Sequence, residues 1–258
     1  MPPAGGGFGL RGEQDPVVDS VLLSKALSRP VKVIWSREDD FANDYFRPAS
    51  QCRIKAGLDK DGRLVGWSHK VAAPSVWSRV MPQMVKNGVC PDAVSGIWDM
   101  PYSIPNQLVN YVMVNLPIPV GFWRSVGFSV NVFAVESFID ELAHAAGKDP
   151  VQFRLAHMEK GSRPYNILSL LAEKGGWNLP LPNGRARGVA VNACFESFAA
   201  HMAEVSVEKN GAVTVHRIVC AIDCGTAVYP DAIRAQAEGG VIMGMSTALH
   251  ERIRFENG

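Results

Sequence analysis

The sequence lacks the features that mark several common classes of protein. Its formal net charge is only +1 over 258 residues, so a basic surface for nucleic acid is not indicated. No apolar run approaches the roughly 20 residues that a membrane-spanning helix needs, and no transmembrane segment is expected. No secretory leader is recognisable at its start. With 47% hydrophobic and 20% charged residues, the composition is that of a globular protein.

Cysteine and histidine are too few and too scattered to indicate a metal site. The five cysteines include no C-x-x-C pair, and the six histidines show no spacing typical of metal ligands. Ligation of zinc or of an iron–sulfur cluster by this chain is therefore not expected. Cys220 and Cys224 lie four residues apart in a strand-like run and are interpreted as structural thiols.

The hydrophobic patterns predict an α+β fold with mixed sheets, hairpins and packed helices. Helices are expected at residues 15–29, 129–146, 150–158, 165–174 and 230–249. Strands are expected at residues 31–36, 52–58, 63–72, 111–116, 188–194, 200–207 and 212–220. The irregular segment 73–109 is interpreted either as a functional loop or as a loop packed on a neighbouring domain. A boundary at Pro180–Gly184 predicts two regions, residues 1–179 and 180–258.

A glycine-rich segment near the N-terminus forms the first candidate site. Residues 7–12, GFGLRG, fit the G-x-G-x-x-G pattern of dinucleotide-binding folds. That interpretation requires a preceding strand and a parallel sheet, whereas the predicted strands lie in hairpins. Glycines also allow the backbone to expose successive N–H groups. On either interpretation, Gly7, Phe8 and Gly9 favour an anionic or oxygen-bearing ligand.

An arginine between aromatic residues and glycines forms the second candidate site. Arg124 lies in the segment GFWRSVG at residues 121–127. Its planar guanidinium would suit an oxyanion or a negative charge that develops during a reaction. The alternative is a structural role in which Arg124 stacks on Trp123.

A turn followed by a helix with unusual composition forms the third candidate site. The segment begins at Asp223-Cys224-Gly225-Thr226, and its helix carries the polar Gln236 among small and apolar residues. Gly239 and Gly240 follow within the helix, where each costs about 1 kcal/mol against alanine. Such glycines indicate either a bulky cofactor beside the helix or tight packing of the helix on a sheet.

Two acidic clusters are interpreted as solvated rather than catalytic. Glu38, Asp39 and Asp40 form one cluster, and residues 136, 140 and 141 form the other. Acidic residues at such positions are typical of helix caps and exposed helix faces. Neither cluster is expected to act as an acid–base pair.

Together the three candidate sites resemble the molybdopterin-binding large subunit of the xanthine dehydrogenase/aldehyde oxidase family, in its branch of isoquinoline 1-oxidoreductase beta subunits. The matching segments follow the family's order and span nearly the whole chain. They are GGGFG at 5–9, VKVIWSREDDF at 31–41, YFRPAS at 45–50, GFWRSVG at 121–127, ESFIDELAHAAGKDPVQFR at 136–154 and DCGTAVYPDAIRAQAEGG at 223–240.

The resemblance implies a molybdenum hydroxylase that oxidises an aldehyde or an N-heterocycle, a small-molecule substrate, with oxygen from water. It implies a molybdenum–pterin cytosine dinucleotide contacted by Gly7, Phe8, Gly9 and Gln236, and a catalytic role for Arg124. It also implies a small iron–sulfur subunit as electron partner, and it leaves a cytochrome c partner open. The periplasm is the compartment typical of this branch, with the cytoplasm as the alternative.

The resemblance also leads us to expect an internal piece of a larger polypeptide. The glycine-rich segment begins only four residues after Met1, and Asn257-Gly258 is typical of a hairpin tip. The family's general-base glutamate belongs to a Gly-Glu-x-Gly segment beyond the last matching motif. The 258 residues alone are therefore expected to be inactive. A non-catalytic binding or assembly module of the same fold is the alternative.

Overall fold

The structure is a computed structural model that describes residues 6–254 and residue 256. Gly5 and the hairpin tip predicted at Asn257-Gly258 lie outside the described residues. Within them, the α-helices are α1 (Asp15–Leu27), α2 (Arg37–Asn43), α3 (Trp77–Val80), α4 (Pro91–Val94), α5 (Phe128–Ala145), α6 (Pro150–Ala156), α7 (Arg163–Gly175) and α8 (Pro230–Leu249). The strands are β1 (Gln51–Leu58), β2 (Leu64–Ala73), β3 (Gln107–Met113), β4 (Arg185–Cys194), β5 (Ser197–Val207) and β6 (Val213–Asp223). The predicted α+β class is confirmed.

The strands form two three-stranded sheets whose strand order follows the chain order. The first sheet has the order β1-β2-β3 and the second has the order β4-β5-β6. In the second sheet both neighbouring pairs are antiparallel, with Arg185 opposite Ser206 and Phe198 opposite Asp223. Parallel strands would need long crossover connections, and hairpins do not supply them. This topology excludes the dinucleotide-fold interpretation of the glycine motif.

The chain divides into two compact units. Unit 1 comprises Met1–Lys55, Ser68–Trp98 and Leu108–Ala134, and unit 2 comprises Ala56–Trp67, Asp99–Gln107 and Val135–Gly258. The division falls within β1, β2, β3 and α5. The two regions predicted from the sequence, residues 1–179 and 180–258, were divided at the boundary Pro180–Gly184, and that division stays a prediction.

The core of unit 1 lies between its sheet and the short helix α4. Val71 and Ala73 of β2 are buried against Val94 and Ile97. Partly buried residues complete this cluster, namely Cys52, Ala93, Val109 and Tyr111. The segment interpreted as an irregular loop thus contains the short helix α4, which contributes Val94 to the core.

The strand predicted at residues 31–36 is wrong. These residues alternate between half-buried and exposed positions, as residues of a strand would. None of the described residues pairs with them, so they form no strand. A β-branched, alternating segment is stable as a strand only when a partner accepts its backbone hydrogen bonds.

In unit 2, helix α7 packs on the second sheet. The side chains of Ile167, Leu168 and Leu171 are buried in this interface. Ser162 caps the start of the helix by accepting a hydrogen bond from the N–H of Tyr165. The helix ends at Gly176, whose φ of 76° is favourable for glycine. The sequence predicted this helix and its two neighbours, α5 and α6, to within a few residues.

A buried ion network joins α5, α6 and β4 in unit 2. Arg154, whose side chain has no solvent exposure, donates from Nε to Glu136 Oε2 at 3.0 Å and from Nη1 to Asp140 Oδ1 at 2.6 Å. Glu136 also accepts the hydroxyl of Tyr102 at 2.6 Å and the N–H of Val191 at 2.9 Å. Burial raises the pKa of Glu136, and the contacts with Arg154 and Tyr102 oppose that shift. The interpretation of Glu136 as a solvated residue is therefore wrong.

Replacing Arg154 with methionine should leave the buried carboxylate of Glu136 without its cation. We expect this variant to lose about 3–5 kcal/mol of the free energy of unfolding, measured by urea denaturation. The matched control is Arg53→Met, which removes an exposed arginine from β1 and should change stability by about 0.5 kcal/mol or less. A loss no larger than that of the control would show that the network does not stabilise the fold.

Candidate functional site

The glycine-rich turn at residues 6–9 has a backbone conformation that few residues adopt. Gly6 and Gly9 have φ values of 107° and 113°, and Phe8 between them has a φ of 50°. Among the residues that the structure describes, no acceptor is bonded to the backbone N–H of Gly7, Phe8 or Gly9. Turns with left-handed residues can expose successive N–H groups to an anion. The turn therefore offers the amide donors on which its predicted role depends.

The turn is fixed against the segment Gly121–Gly127, which we call the arginine loop. The backbone N–H of Arg124 donates to the carbonyl oxygen of Phe8 at 3.2 Å. Gly9 approaches the loop so closely that an added Cβ would overlap the carbonyl oxygen of Phe122. Two candidate sites that are more than a hundred residues apart in the sequence thus meet within unit 1.

The segment Tyr45-Phe46-Arg47 also forms hydrogen bonds with the arginine loop. Phe46 accepts a hydrogen bond from the N–H of Gly121 at 3.1 Å, and the indole of Trp123 donates to the carbonyl of Tyr45 at 2.7 Å. Arg47 donates to the carbonyls of Arg124 at 3.1 Å and Val126 at 3.3 Å. The bonds from Arg47 satisfy the carbonyl oxygens of Arg124 and Val126, and all of these bonds hold the backbone of the loop in place.

Sequence reasoning did not single out Arg47. The guanidinium that lies over the ring of Trp123, 5.8 Å from its centroid, is that of Arg47. The sequence interpretation had considered this stacking role for Arg124. The signal that could have identified Arg47 is its place in Tyr45-Phe46-Arg47-Pro48, an arginine among aromatic residues much like Arg124.

The arginine loop contains two consecutive residues in the left-handed region. Ser125 has a φ of 70° and the β-branched Val126 has a φ of 40°. A β-branched residue with positive φ is strained, and such strain is concentrated at functional sites. The hydroxyls of Ser125 and Ser129 are in hydrogen-bond contact across this bend. The local conformation therefore depends on the surrounding contacts and not on the preferences of its residues.

An ion pair stands beside the glycine-rich turn. Arg79 binds the carboxylate of Glu13 through two hydrogen bonds of 2.9 and 2.6 Å. Its guanidinium lies 4.1 Å from the ring centroid of Tyr45 and also donates to the carbonyl of Val120. Burial raises the pKa of Tyr45, the nearby Asp15 adds to the shift, and Arg79 opposes it. These contacts tie the start of α1 to the arginine loop.

Gln236, the third predicted contact, belongs to unit 2. Its side chain is exposed on α8. The glycine-rich turn and the arginine loop, in contrast, both belong to unit 1. Among the described residues, no atom lies within 4 Å of a Cβ added to Gly239. Tight packing on a sheet therefore does not account for that glycine, and the interpretation that leaves space for a bulky group beside the helix is favoured.

The turn that precedes α8 is held by an ion pair. Arg163 at the start of α7 binds Asp223 through two hydrogen bonds of 2.8 and 2.7 Å, and its guanidinium lies 4.4 Å from the ring centroid of Phe198. Asp223 also accepts the N–H of Gly225 at 3.0 Å. The hydrogen bond from Arg163, followed by that from Gly225, lowers the pKa of Asp223 to about 2.

The donor groups of unit 1 fit an anionic group rich in oxygen. The turn supplies N–H groups that have no acceptor among the described residues, and the arginine loop supplies the half-buried Arg124. Phosphate, oxo and carboxylate oxygens accept hydrogen bonds from donors of this kind. Over the described residues, no group of three His, Cys, Asp or Glu side chains could hold a metal ion directly. In the same part of the chain, no helix is both long and apolar enough to cross a membrane.

Comparison with known proteins gives two matches to models of the molybdopterin cofactor-binding domain, over residues 1–158 and 140–258. The chain is similar to the beta subunit of isoquinoline 1-oxidoreductase from Brevundimonas diminuta, with 36% identity over 264 residues and 100% of this chain. It is 31% identical to a nicotinate dehydrogenase subunit of Pseudomonas putida over 278 residues and 98% of this chain. The chain spans 34% and 23% of the lengths of these curated relatives.

Solved structures share the fold. Quinoline 2-oxidoreductase from Pseudomonas putida 86 matches with a TM-score of 0.58 and 20% identity over 83% of this chain and 32% of that chain. The aldehyde oxidoreductase from Desulfovibrio gigas matches with a TM-score of 0.56 and 20% identity over 82% of this chain and 25% of that chain. At this level of identity the likeness concerns the fold alone.

Adding one methyl group at Gly9 should displace the turn from the arginine loop. Gly9→Ala places a Cβ on the carbonyl of Phe122 and demands a left-handed alanine. We expect a loss of about 1–3 kcal/mol in stability and faster hydrogen exchange at the N–H of Arg124. Gly12→Ala is the matched control, because no atom lies within 4 Å of the added Cβ. Equal behaviour of both variants would contradict the close approach.

Removing the guanidinium of Arg163 should raise the pKa of Asp223. A carbon-detected NMR titration should give a pKa of about 2 in the unchanged chain and a higher pKa in Arg163→Ala, still below the ordinary value of about 3.9 because the hydrogen bond from the N–H of Gly225 remains. Because folding lowers this pKa, the contribution to stability is present above about pH 4 and is lost as the pH falls towards 2. Lys160→Ala, which removes an exposed cation nearby in sequence, should leave the pKa of Asp223 unchanged.

Proposed function

This chain belongs to the molybdopterin cofactor-binding family of the xanthine dehydrogenase and aldehyde oxidase type, and we propose that it forms cofactor-binding regions of a molybdenum hydroxylase. The protein would oxidise an aldehyde or an N-heterocycle with water as the source of oxygen. The chain spans only part of its relatives, and the substrates and partners of the whole protein are part of the proposal.

The observation that carries the proposal is the hydrogen bond between the N–H of Arg124 and the carbonyl of Phe8. It brings the backbone of Arg124 next to the turn, whose amide donors have no acceptor among the described residues. Each of these groups binds negative oxygen, and together they supply the fixed donors that a charged cofactor and an oxidised substrate both need. The strained backbone at Ser125 and Val126 supports the same interpretation.

The residues have distinct roles in this proposal. The N–H groups of Gly7, Phe8 and Gly9 would donate hydrogen bonds to anionic oxygens of the cofactor. The carboxamide of Gln236 would contact the pterin. Arg124 would orient the substrate and stabilise negative charge that develops on its oxygen or nitrogen. When bound, the cofactor supplies the oxidation–reduction chemistry, and the protein supplies binding, orientation and electrostatics.

The cofactor form and the electron partner belong to the same proposal. We propose a molybdenum–pterin cytosine dinucleotide, the form implied by the bacterial branch. The relatives are named as subunits of larger enzymes, which supports a separate electron-transfer partner. A small iron–sulfur subunit is the proposed partner, and a cytochrome c is the second candidate.

Replacing Arg124 with methionine should weaken binding of the substrate and leave cofactor binding unchanged, measured as pterin fluorescence and molybdenum retained by the purified chain. Loss of one charge-assisted hydrogen bond corresponds to about ten- to a hundredfold in affinity for the substrate, measured by titration of the cofactor-loaded chain. Arg185→Met, on the exposed end of β4, is the matched control. The 258 residues alone are expected to be inactive, and dye reduction with benzaldehyde or isoquinoline by the cofactor-loaded chain plus its iron–sulfur partner would contradict that expectation. Retention of no molybdenum or pterin by the folded, unchanged chain would contradict the proposal.

A further inference from the structure

Residues 31–36, which we call the unpaired edge, have the burial pattern of a strand but no strand beside them. Val31, Val33 and Trp35 are half-buried and alternate with exposed residues. Ile34 is 75% exposed. Among the residues that the structure describes, none accepts or donates a hydrogen bond to the backbone from Val31 to Trp35. Such a row of free N–H and carbonyl groups is a template for pairing with another strand.

An open groove of about 930 Å³ lies between the unpaired edge and helix α1. Val31 and Val33 of the edge line one side of it. Val17 and Val21 of α1 line the other side, and these two valines are 65% and 60% exposed. No residue of α1 is buried. A helix of a globular protein normally buries one apolar face, so the groove and the edge form a surface that another chain can cover.

The charged residues at the two ends of the unpaired edge have opposite signs. Arg29 and Lys32 lie at its start, and Glu38 and Asp40 lie beyond its end in the first turn of α2. All four side chains are exposed, and over the described residues none of them forms an ion pair. Such a surface is complementary to a second copy that runs in the opposite direction, because each basic end then lies beside an acidic end.

We propose that the unpaired edge pairs with the same edge of a second copy of this chain, in an antiparallel ribbon with its two-fold axis at Ile34. In this register Val33 lies opposite Trp35 of the second copy. The half-buried side chains of both copies then share the face that carries α1, and Trp35 of the second copy packs against the groove. Lys32 lies opposite Ser36 of the second copy, next to its acidic turn, and no two like charges are directly opposite.

The dimer can be detected with the 258-residue chain and without any cofactor. Sedimentation velocity over a dilution series should show an equilibrium between monomer and dimer, with a dissociation constant in the micromolar range because the interface is small. In concentrated samples, hydrogen exchange should slow at alternate N–H groups of the unpaired edge. Alternate groups are expected because only one side of each strand faces the second copy.

A cysteine at position 34 tests the register. Ile34→Cys places two thiols at the two-fold axis, where opposite Cα atoms of an antiparallel pair lie about 4.5–5.5 Å apart, within the range of a disulfide. We expect a disulfide-linked dimer on air oxidation. Phe133→Cys is the matched control, because Phe133 is 74% exposed and also belongs to unit 1. The control should give little cross-linked dimer.

Charge reversal tests the complementarity of the two ends. Lys32→Glu and Glu38→Lys should each weaken the dimer by about three- to tenfold, because each creates two contacts between like charges. The two substitutions in one chain should restore the affinity, since the signs are then exchanged at both ends. Lys60→Glu, at an exposed position of the β1–β2 turn, is the control and should leave the affinity unchanged.

Three outcomes would overturn this proposal. An unchanged chain that stays monomeric at every concentration contradicts it, whether or not the variants fold, and would leave the edge to a strand of another polypeptide. Cross-linking of Ile34→Cys no faster than that of Phe133→Cys would show that the copies meet elsewhere. Failure of the double charge reversal to restore the dimer, in a variant that circular dichroism shows to be folded, would exclude the antiparallel pairing of ends. A failure to retain molybdenum and pterin would contradict the proposed function and leave these measurements valid.

Discussion

The close approach of Gly9 to the carbonyl of Phe122 is the contact on which the site in unit 1 depends. Two reasons require glycine at position 9: any Cβ would overlap the loop, and the φ of Gly9 is positive. The hydrogen bond from the N–H of Arg124 to the carbonyl of Phe8 lies next to this approach. The amide donors of the turn and the backbone of Arg124 are therefore positioned by backbone contacts.

Arginine residues support the backbone in both units. Arg47 satisfies carbonyl oxygens of the arginine loop in unit 1. In unit 2, Arg154 neutralises a buried carboxylate between helices, and Arg163 holds the turn before the helix of Gln236. A planar fork of donors can bind several oxygens at once, so a single side chain fixes a loop that has no regular structure of its own.

The arginine loop contacts two features of unit 1. Through Phe8 and Gly9 it contacts the turn that would bind the cofactor, and through Phe122 and Trp123 it lines a small cavity. The strained conformation at Val126 is maintained between these two sets of contacts.

The sequence by itself determined the α+β class, the helices α5 to α8, the two hairpins and the membership of the molybdopterin-binding family, because these depend on local periodicity, turn residues and ordered motifs. It located Phe8 and Arg124 as candidates but could not show that they are bonded. It missed Arg47 and the buried state of Glu136, and it placed a strand at residues 31–36 that has no partner among the described residues. Burial, ion pairing and strand pairing depend on residues distant in the chain, and only the tertiary structure decided them.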